Sequence, residues 1–210
     1  MEKTGLEIAK LLISLNCVQL SPGNPFTYAS GLKGPIYCDN RKILSHVEER
    51  GIVAEQLVSL INESKVVFDQ VAGLATAGIP HAAIVSERLH VPMIYVRSAP
   101  KGHGKQNQIE GDFVSGEKII LIEDLVNQGK SLGVAIDGAV GAGLVPQACF
   151  CIVDYQMKSS RELLSKYSLP LFSLTDFTTL VNVACDLQKI TGNDKDILYK
   201  WHNNPSIWKQ

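Results

Sequence analysis

The sequence predicts an α/β protein built on a central parallel sheet of about five strands flanked by helices. Apolar runs rich in β-branched residues recur at 68–75, 91–96, 118–122 and 148–153. Segments of helical periodicity separate them at 80–89 and 131–142. Strands that are apolar on both faces and alternate with helices pack as a right-handedly wound parallel sheet.

The flanking segments have a different character. Ile8, Leu11, Leu12 and Leu15 recur at helical spacing within 4–16, and Val53, Leu57, Leu60 and Ile61 do so after Ser45. Between these helices, Ser21-Pro22-Gly23-Asn24-Pro25 marks a turn. Short strands are expected at 26–28 and 35–38, around a bend at Ser30-Gly31. Beyond the sheet, 159–166, 176–188 and 194–202 read as helices, with Thr175 or Asp176 capping the middle one. The expected organisation is a single domain over 1–210. A hood from about 1–40 and 170–210 stands beside a core of about 43–165.

Composition narrows the partners. The chain has 210 residues, 45% of them hydrophobic and 20% charged, with 20 Lys plus Arg against 21 Asp plus Glu. That excludes disorder, and a chain this long buries roughly 70% of its unfolded surface without staples. A formal net charge of -1 and no basic block argue against nucleic acid or a membrane surface as partner, so any anionic ligand must be held by local groups. The five cysteines include no CxxC pair and are expected to be free thiols. The polar start lacks the pattern of a signal peptide, and no apolar run reaches the roughly 18 residues needed to span a bilayer. A cytoplasmic location is expected.

In open parallel sheets, ligands bind beyond the C-terminal ends of the strands. Three loops qualify. The third, Glu123-Asp124-Leu125-Val126-Asn127-Gln128-Gly129-Lys130-Ser131, delivers two acids and then a polar, glycine-bearing turn into a helix. Its backbone N–H groups suit a phosphate, whereas the acids suit hydroxyls, a metal ion or a developing positive charge. A sugar phosphate satisfies both halves. Gly129-Lys130-Ser131 mimics the end of a Walker A loop, but Asp124 stands where that motif requires glycine. Gly138, Gly141 and Gly143 close a helix rather than follow a strand.

The second loop, 97–111, combines Arg97, Lys101, His103 and three glycines, the composition of a lid that brings positive charge over an anionic leaving group and excludes water. In the first loop, Thr76-Ala77-Gly78, small residues let backbone approach a ligand, with Pro80 at a helix start. His81 is expected to be a structural helix residue, and Trp201 and Trp208 to anchor the tail by burial.

The run from Ile119 to Ser131 resembles the ribosyl-diphosphate motif of the type I phosphoribosyltransferases. Residues 26–41, 72–81, 95–111, 173–177 and 201–208 narrow the resemblance to the orotate branch of that family. The resemblance implies a five-stranded parallel core with a hood from both chain ends. It implies magnesium-dependent (Mg2+) transfer of phosphoribosyl from 5-phosphoribosyl 1-diphosphate (PRPP) to N1 of orotate, giving orotidine 5′-monophosphate and diphosphate in pyrimidine synthesis. Magnesium would be bound mainly through PRPP, with no dedicated protein ligands. Arg97, Lys101 and His103 would contact the diphosphate, with Lys101 acting in the partner subunit's site of a homodimer. Glu123 and Asp124 would hold the ribose hydroxyls. Leu125, Val126, Asn127, Gln128, Gly129, Lys130 and Ser131 would hold the 5′-phosphate, with Thr76 and Lys33 completing the substrate contacts. Lys101, His103 and Asp124 are the expected catalytic residues.

The chain departs from the family pattern at several positions. Asn127 replaces a Thr or Ser that contacts orotate, and Gln128 and Lys130 are bulkier than usual. Ser98 replaces a second basic residue, Ala29 replaces a lysine for which Lys33 is the nearest substitute, and Tyr155 replaces an arginine for orotate's carboxylate. Two other readings therefore stand beside the first: transfer to a different base, and a non-catalytic nucleotide-binding regulator on the same fold.

Overall fold

The computed structural model describes residues 2–28, 31–99, 108–206 and 208. The chain opens with α1 (Glu2–Ser14), followed by the short strands β1 (Val18–Leu20), β2 (Phe26–Thr27), β3 (Lys33–Gly34) and β4 (Ile36–Cys38). A 3₁₀ turn (Asn40–Ser45) leads into α2 (Val47–Ser64). The alternating part comprises β5 (Gln70–Leu74), α3 (Gly78–Leu89), β6 (Met93–Val96), β7 (Ile109–Glu110), β8 (Lys118–Val126), α4 (Lys130–Gly141), β9 (Val145–Asp154) and α5 (Lys158–Lys166). It closes with β10 (Leu171–Asp176), α6 (Phe177–Asp186) and α7 (Gly192–Asn203).

The main sheet has the order β10-β9-β8-β5-β6-β7. Five of these strands run parallel, as expected, and β7 adds an antiparallel edge by pairing with β6 (Tyr95↔Glu110, Val96↔Ile109). Periodicity alone misses β10 because it is an edge strand with only Leu174 and Thr175 buried, so it carries no continuous apolar run. Two antiparallel pairs, β1 with β4 and β2 with β3, lie outside this sheet.

Successive strand residues point to opposite faces, and two cores result. Val71, Ile120, Ile122, Phe150 and Ile152 face α1, α2, α3, α6 and α7. Ala72, Leu74, Ile119, Leu121, Cys149 and Cys151 face α4 and α5. α1 packs on α6 and β10, which brings the two ends of the chain together. Asp176 caps α6 by accepting from the Thr179 amide at 2.7 Å. The five cysteines are free, and no helix among the described residues is long and apolar enough to cross a membrane.

Two boundaries differ from expectation. β8 runs on to Val126 rather than ending at Ile122, because β9 continues to pair with it (Glu123↔Cys151, Val126↔Asp154). The acids therefore sit on a strand. α3 begins at Gly78, and Pro80 stands in its first turn, where a missing N–H costs no intrahelical bond.

Candidate active site

A cleft of about 550 Å³ opens beyond the C-terminal ends of β5 and β8. Thr76, Glu123, Asp124, Leu125, Asn127, Gln128, Gly129, Lys130 and Ser131 line it, together with Tyr28, Leu32, Ala75, Ala77, Trp201 and Pro205. A second lobe of about 250 Å³ shares Ala75, Glu123, Lys130 and Ser131 with it and adds Arg97 and Ser98.

The two acids are consecutive on the strand, both line the cleft, and their carboxyl groups interact. The charge of Glu123 reaches Cys149 and Cys151, on the α4 side. The charge of Asp124 reaches His81 and Cys38, on the other. Glu123 is 6% exposed, and burial, reinforced by the charge of Asp124, holds its carboxyl well above the usual carboxylate range. Its Oε1 accepts from the Asp124 amide at 3.0 Å. Asp124 is more open and presents its charge to the cleft. His81 is buried as expected of a helix residue, and burial lowers its pKa against the opposing pull of Asp124.

The loop after β8 is shaped for an anion. Gly129, at φ +85°, is the N-cap of α4, and no side chain caps the helix. The first amides of α4 therefore face the cleft without an intrahelical acceptor, at the positive end of the helix dipole. Ser159 braces this loop by donating to the Gln128 carbonyl at 3.0 Å. Lys130, exposed at the first helical position, adds a cation beside both lobes. Val126 turns the other way: it is 2% exposed and packs in the α4-side core, so it supports the loop from beneath.

Arg97 stands at the neck of the β6–β7 hairpin. Its amide donates to the Gln108 carbonyl at 2.8 Å, and the Gln108 amide returns a 3.0 Å bond to the Arg97 carbonyl. The Arg97 guanidinium lies 3.3 Å from Glu110. Lys101 and His103 lie outside the described residues. Lys33 is exposed on β3 and does not line the cleft, whereas its neighbour Leu32 does. Tyr155 is fully buried in an aromatic cluster with Phe177 and Trp201 and offers nothing to a carboxylate ligand. At that end of β9, Arg161 pairs with Asp154.

Two contributors were not singled out from sequence. Asn40, fully buried, donates Nδ2 to the Asp124 carbonyl at 2.9 Å. Tyr28 walls the cleft, with its hydroxyl donating to the Ile36 carbonyl. Trp201 anchors the tail as expected, and it also closes one side of the cleft. No local pattern in the sequence points to the first, since Asn40 stands among Asp39, Arg41 and Lys42 in a polar turn.

Comparison with known proteins accords with this geometry. The family model described as the phosphoribosyl transferase domain matches residues 40–184. An orotate phosphoribosyltransferase of Staphylococcus aureus is 42% identical over 198 residues, covering 94% of this chain and 98% of that protein. One of Listeria monocytogenes is 42% identical over 202 residues, covering 96% and 97%. The crystal structure of orotate phosphoribosyltransferase from Aeropyrum pernix superposes with a TM-score of 0.75 at 27% identity, covering 88% of this chain and 99% of that one. The chain belongs to the orotate phosphoribosyltransferase family of phosphoribosyl transferases.

Proposed function

We infer that the protein transfers the phosphoribosyl group of PRPP to orotate, releasing diphosphate and forming orotidine 5′-monophosphate in pyrimidine biosynthesis. The observation that carries this reading is the union, in one cleft, of two strand-borne acids with an uncapped helix N-terminus six residues beyond them. A ribose 5-phosphate needs both: carboxylates for its hydroxyls and amides for its phosphate.

The chemistry follows from charge. Departure of diphosphate from C1 leaves an oxocarbenium-like ring. Asp124, open to the cleft, offsets the positive charge that develops there, while Glu123 fixes the Asp124 amide and so its orientation. Leu125, Asn127, Gln128, Gly129, Lys130 and Ser131 hold the 5′-phosphate, over the buried support of Val126. Thr76 approaches the diphosphate from β5. Arg97, Lys101 and His103 take up the negative charge of the leaving group, with Lys101 supplied by the partner subunit of a homodimer. Lys33 lies near enough in sequence to Tyr28 and Leu32 to serve the substrate from the rim.

Magnesium would fit here, held mainly through PRPP, whose ribose hydroxyls Glu123 and Asp124 would orient, since oxygen donors are the hard ligands it prefers. When bound, it neutralises charge on the leaving diphosphate. The segments 1–40 and 170–210 act as a hood over a core at 43–165, in a single cytoplasmic domain.

The test is the loss of orotate absorbance by purified protein with PRPP and magnesium, repeated with uracil and purine bases. Loss with orotate alone supports the reading. Turnover only with another base would move the acceptor, and silence with every base would replace the enzyme with a nucleotide-binding regulator.

A further inference from the structure

The pairing of β8 changes at the acids. β5 leaves it after Gly73↔Ile122, whereas β9 stays to Val126↔Asp154. Beyond Ile122, one side of β8 thus has no strand partner, and its backbone groups need other acceptors and donors. Both are found in side chains: Glu123 Oε1 accepts from the Asp124 amide, and Asn40 Nδ2 donates to the Asp124 carbonyl at 2.9 Å.

Asn40 is built for this contact. It opens the 3₁₀ turn after β4 and is 0% exposed. Its Oδ1 accepts from the Cys38 thiol at 3.3 Å, which fixes the amide so that Nδ2 points to β8. The neighbouring Asp39 caps the turn through the Arg41 amide and pairs with the Arg41 guanidinium at 2.6 Å, so Asn40 stands on a locked platform. The contact joins residues 84 apart in sequence, and the Asp124 carbonyl it holds lies between the two acids and the phosphate loop.

We propose that Asn40 is a positioning residue for the transfer reaction: it replaces the missing strand at Asp124 and fixes the angle at which that carboxylate meets the reacting sugar. This rests on the phosphoribosyl-transfer reading and names a residue that acts through Asp124 rather than on substrate. Removing the link leaves Asp124 in place but loosens its backbone, so loss falls on turnover more than on ground-state binding.

The experiment compares Asn40→Asp, Asn40→Ser and Ile43→Val with the unaltered protein. Asn40→Asp sets an oxygen against the Asp124 carbonyl oxygen, and Asn40→Ser shortens the side chain beyond reach. Ile43→Val loosens the same turn without touching the hydrogen bonds. Turnover with PRPP, magnesium and orotate is measured with calorimetric binding of PRPP and with thermal unfolding. Both Asn40 variants are expected to lose about 10- to 100-fold in kcat, while PRPP affinity stays within about threefold. Ile43→Val is expected to lose stability but keep its kcat. Should Asn40→Asp misfold, Asn40→Ser carries the comparison. A folded Asn40 variant with unchanged kcat, or one whose loss matches that of Ile43→Val at equal stability, overturns the proposal while the unaltered protein remains active. An unaltered protein that turns over no base overturns it together with the functional reading.

Discussion

Gly78 and Ile122 meet backbone to backbone: a Cβ on Gly78 would stand 2.3 Å from the Ile122 carbonyl oxygen. The start of α3 is thereby held against the last residue of β8 that pairs with β5, and Thr76 and Asp124 are brought to one cleft. Gly78→Ala must push the helix from the strand, because the obstructing atom is backbone. We expect a destabilisation of about 1–3 kcal/mol in thermal or urea unfolding. We also expect a fall of about 100-fold in kcat/KM for PRPP, as for a displacement near 1 Å. Wild-type values in both measurements would show that this contact does not set the site.

The burial of Glu123 leads to a pH dependence of stability. Its carboxyl is held above the ordinary range by desolvation first and by Asp124 second. The folded state favours the protonated form, so the stability this group contributes is complete below its unfolded pKa of about 4.3 and is lost as pH rises through the raised folded value. Glu123→Gln keeps an oxygen for the Asp124 amide and cannot ionise. In ligand-free protein, its unfolding temperature should exceed that of the unaltered chain by a margin that grows as pH rises above the unfolded value of about 4.3 and vanishes below it. A margin that does not vary with pH would mean that the ionised carboxylate is well accommodated.

Lys130 is an exposed cation at the first helical position of α4, bordering both lobes. If it assists the helix N-terminus in holding phosphate, Lys130→Ala should raise the KM for PRPP by about two- to fivefold. The difference should shrink as salt is raised, since the charge is solvent-facing. Steady-state kinetics across a salt series reads both effects. A change in KM indifferent to salt would assign the residue a steric role.

The sequence was most informative where one physical signal dominated. Buried parallel strands leave continuous apolar runs, and so β5, β6, β8 and β9 stood out. β10 and β7 did not, because edge strands bury only part of their surface. The phosphate loop was legible because Gly129 and the adjoining acids are a local pattern. Asn40 was not, because its role depends on β5 ending before β8 does, a relation between segments 84 residues apart. Tyr155 and Val126 illustrate the same limit: both adjoin site residues in sequence, yet both point into core.

Arg97 and Gln108 close the neck of the β6–β7 hairpin with two hydrogen bonds, and Arg97 and Ser98 border the lobe beside Glu123. Lys101 falls between Arg97 and Gln108 in the sequence. If Lys101 serves the leaving diphosphate, Lys101→Ala should lower kcat by about 100- to 1,000-fold and leave the unfolding temperature unchanged. If it does so across a dimer, an inactive Lys101→Ala protein mixed with an inactive Asp124→Asn protein should regain activity. After subunits exchange, half the dimers are mixed, and each holds one site with both residues intact, so about a quarter of full activity is expected. Recovery would require both the shared site and the homodimer. A mixture that stays inactive despite demonstrated exchange would place Lys101 in its own subunit's cleft, and a fully active Lys101→Ala would remove it from the reaction.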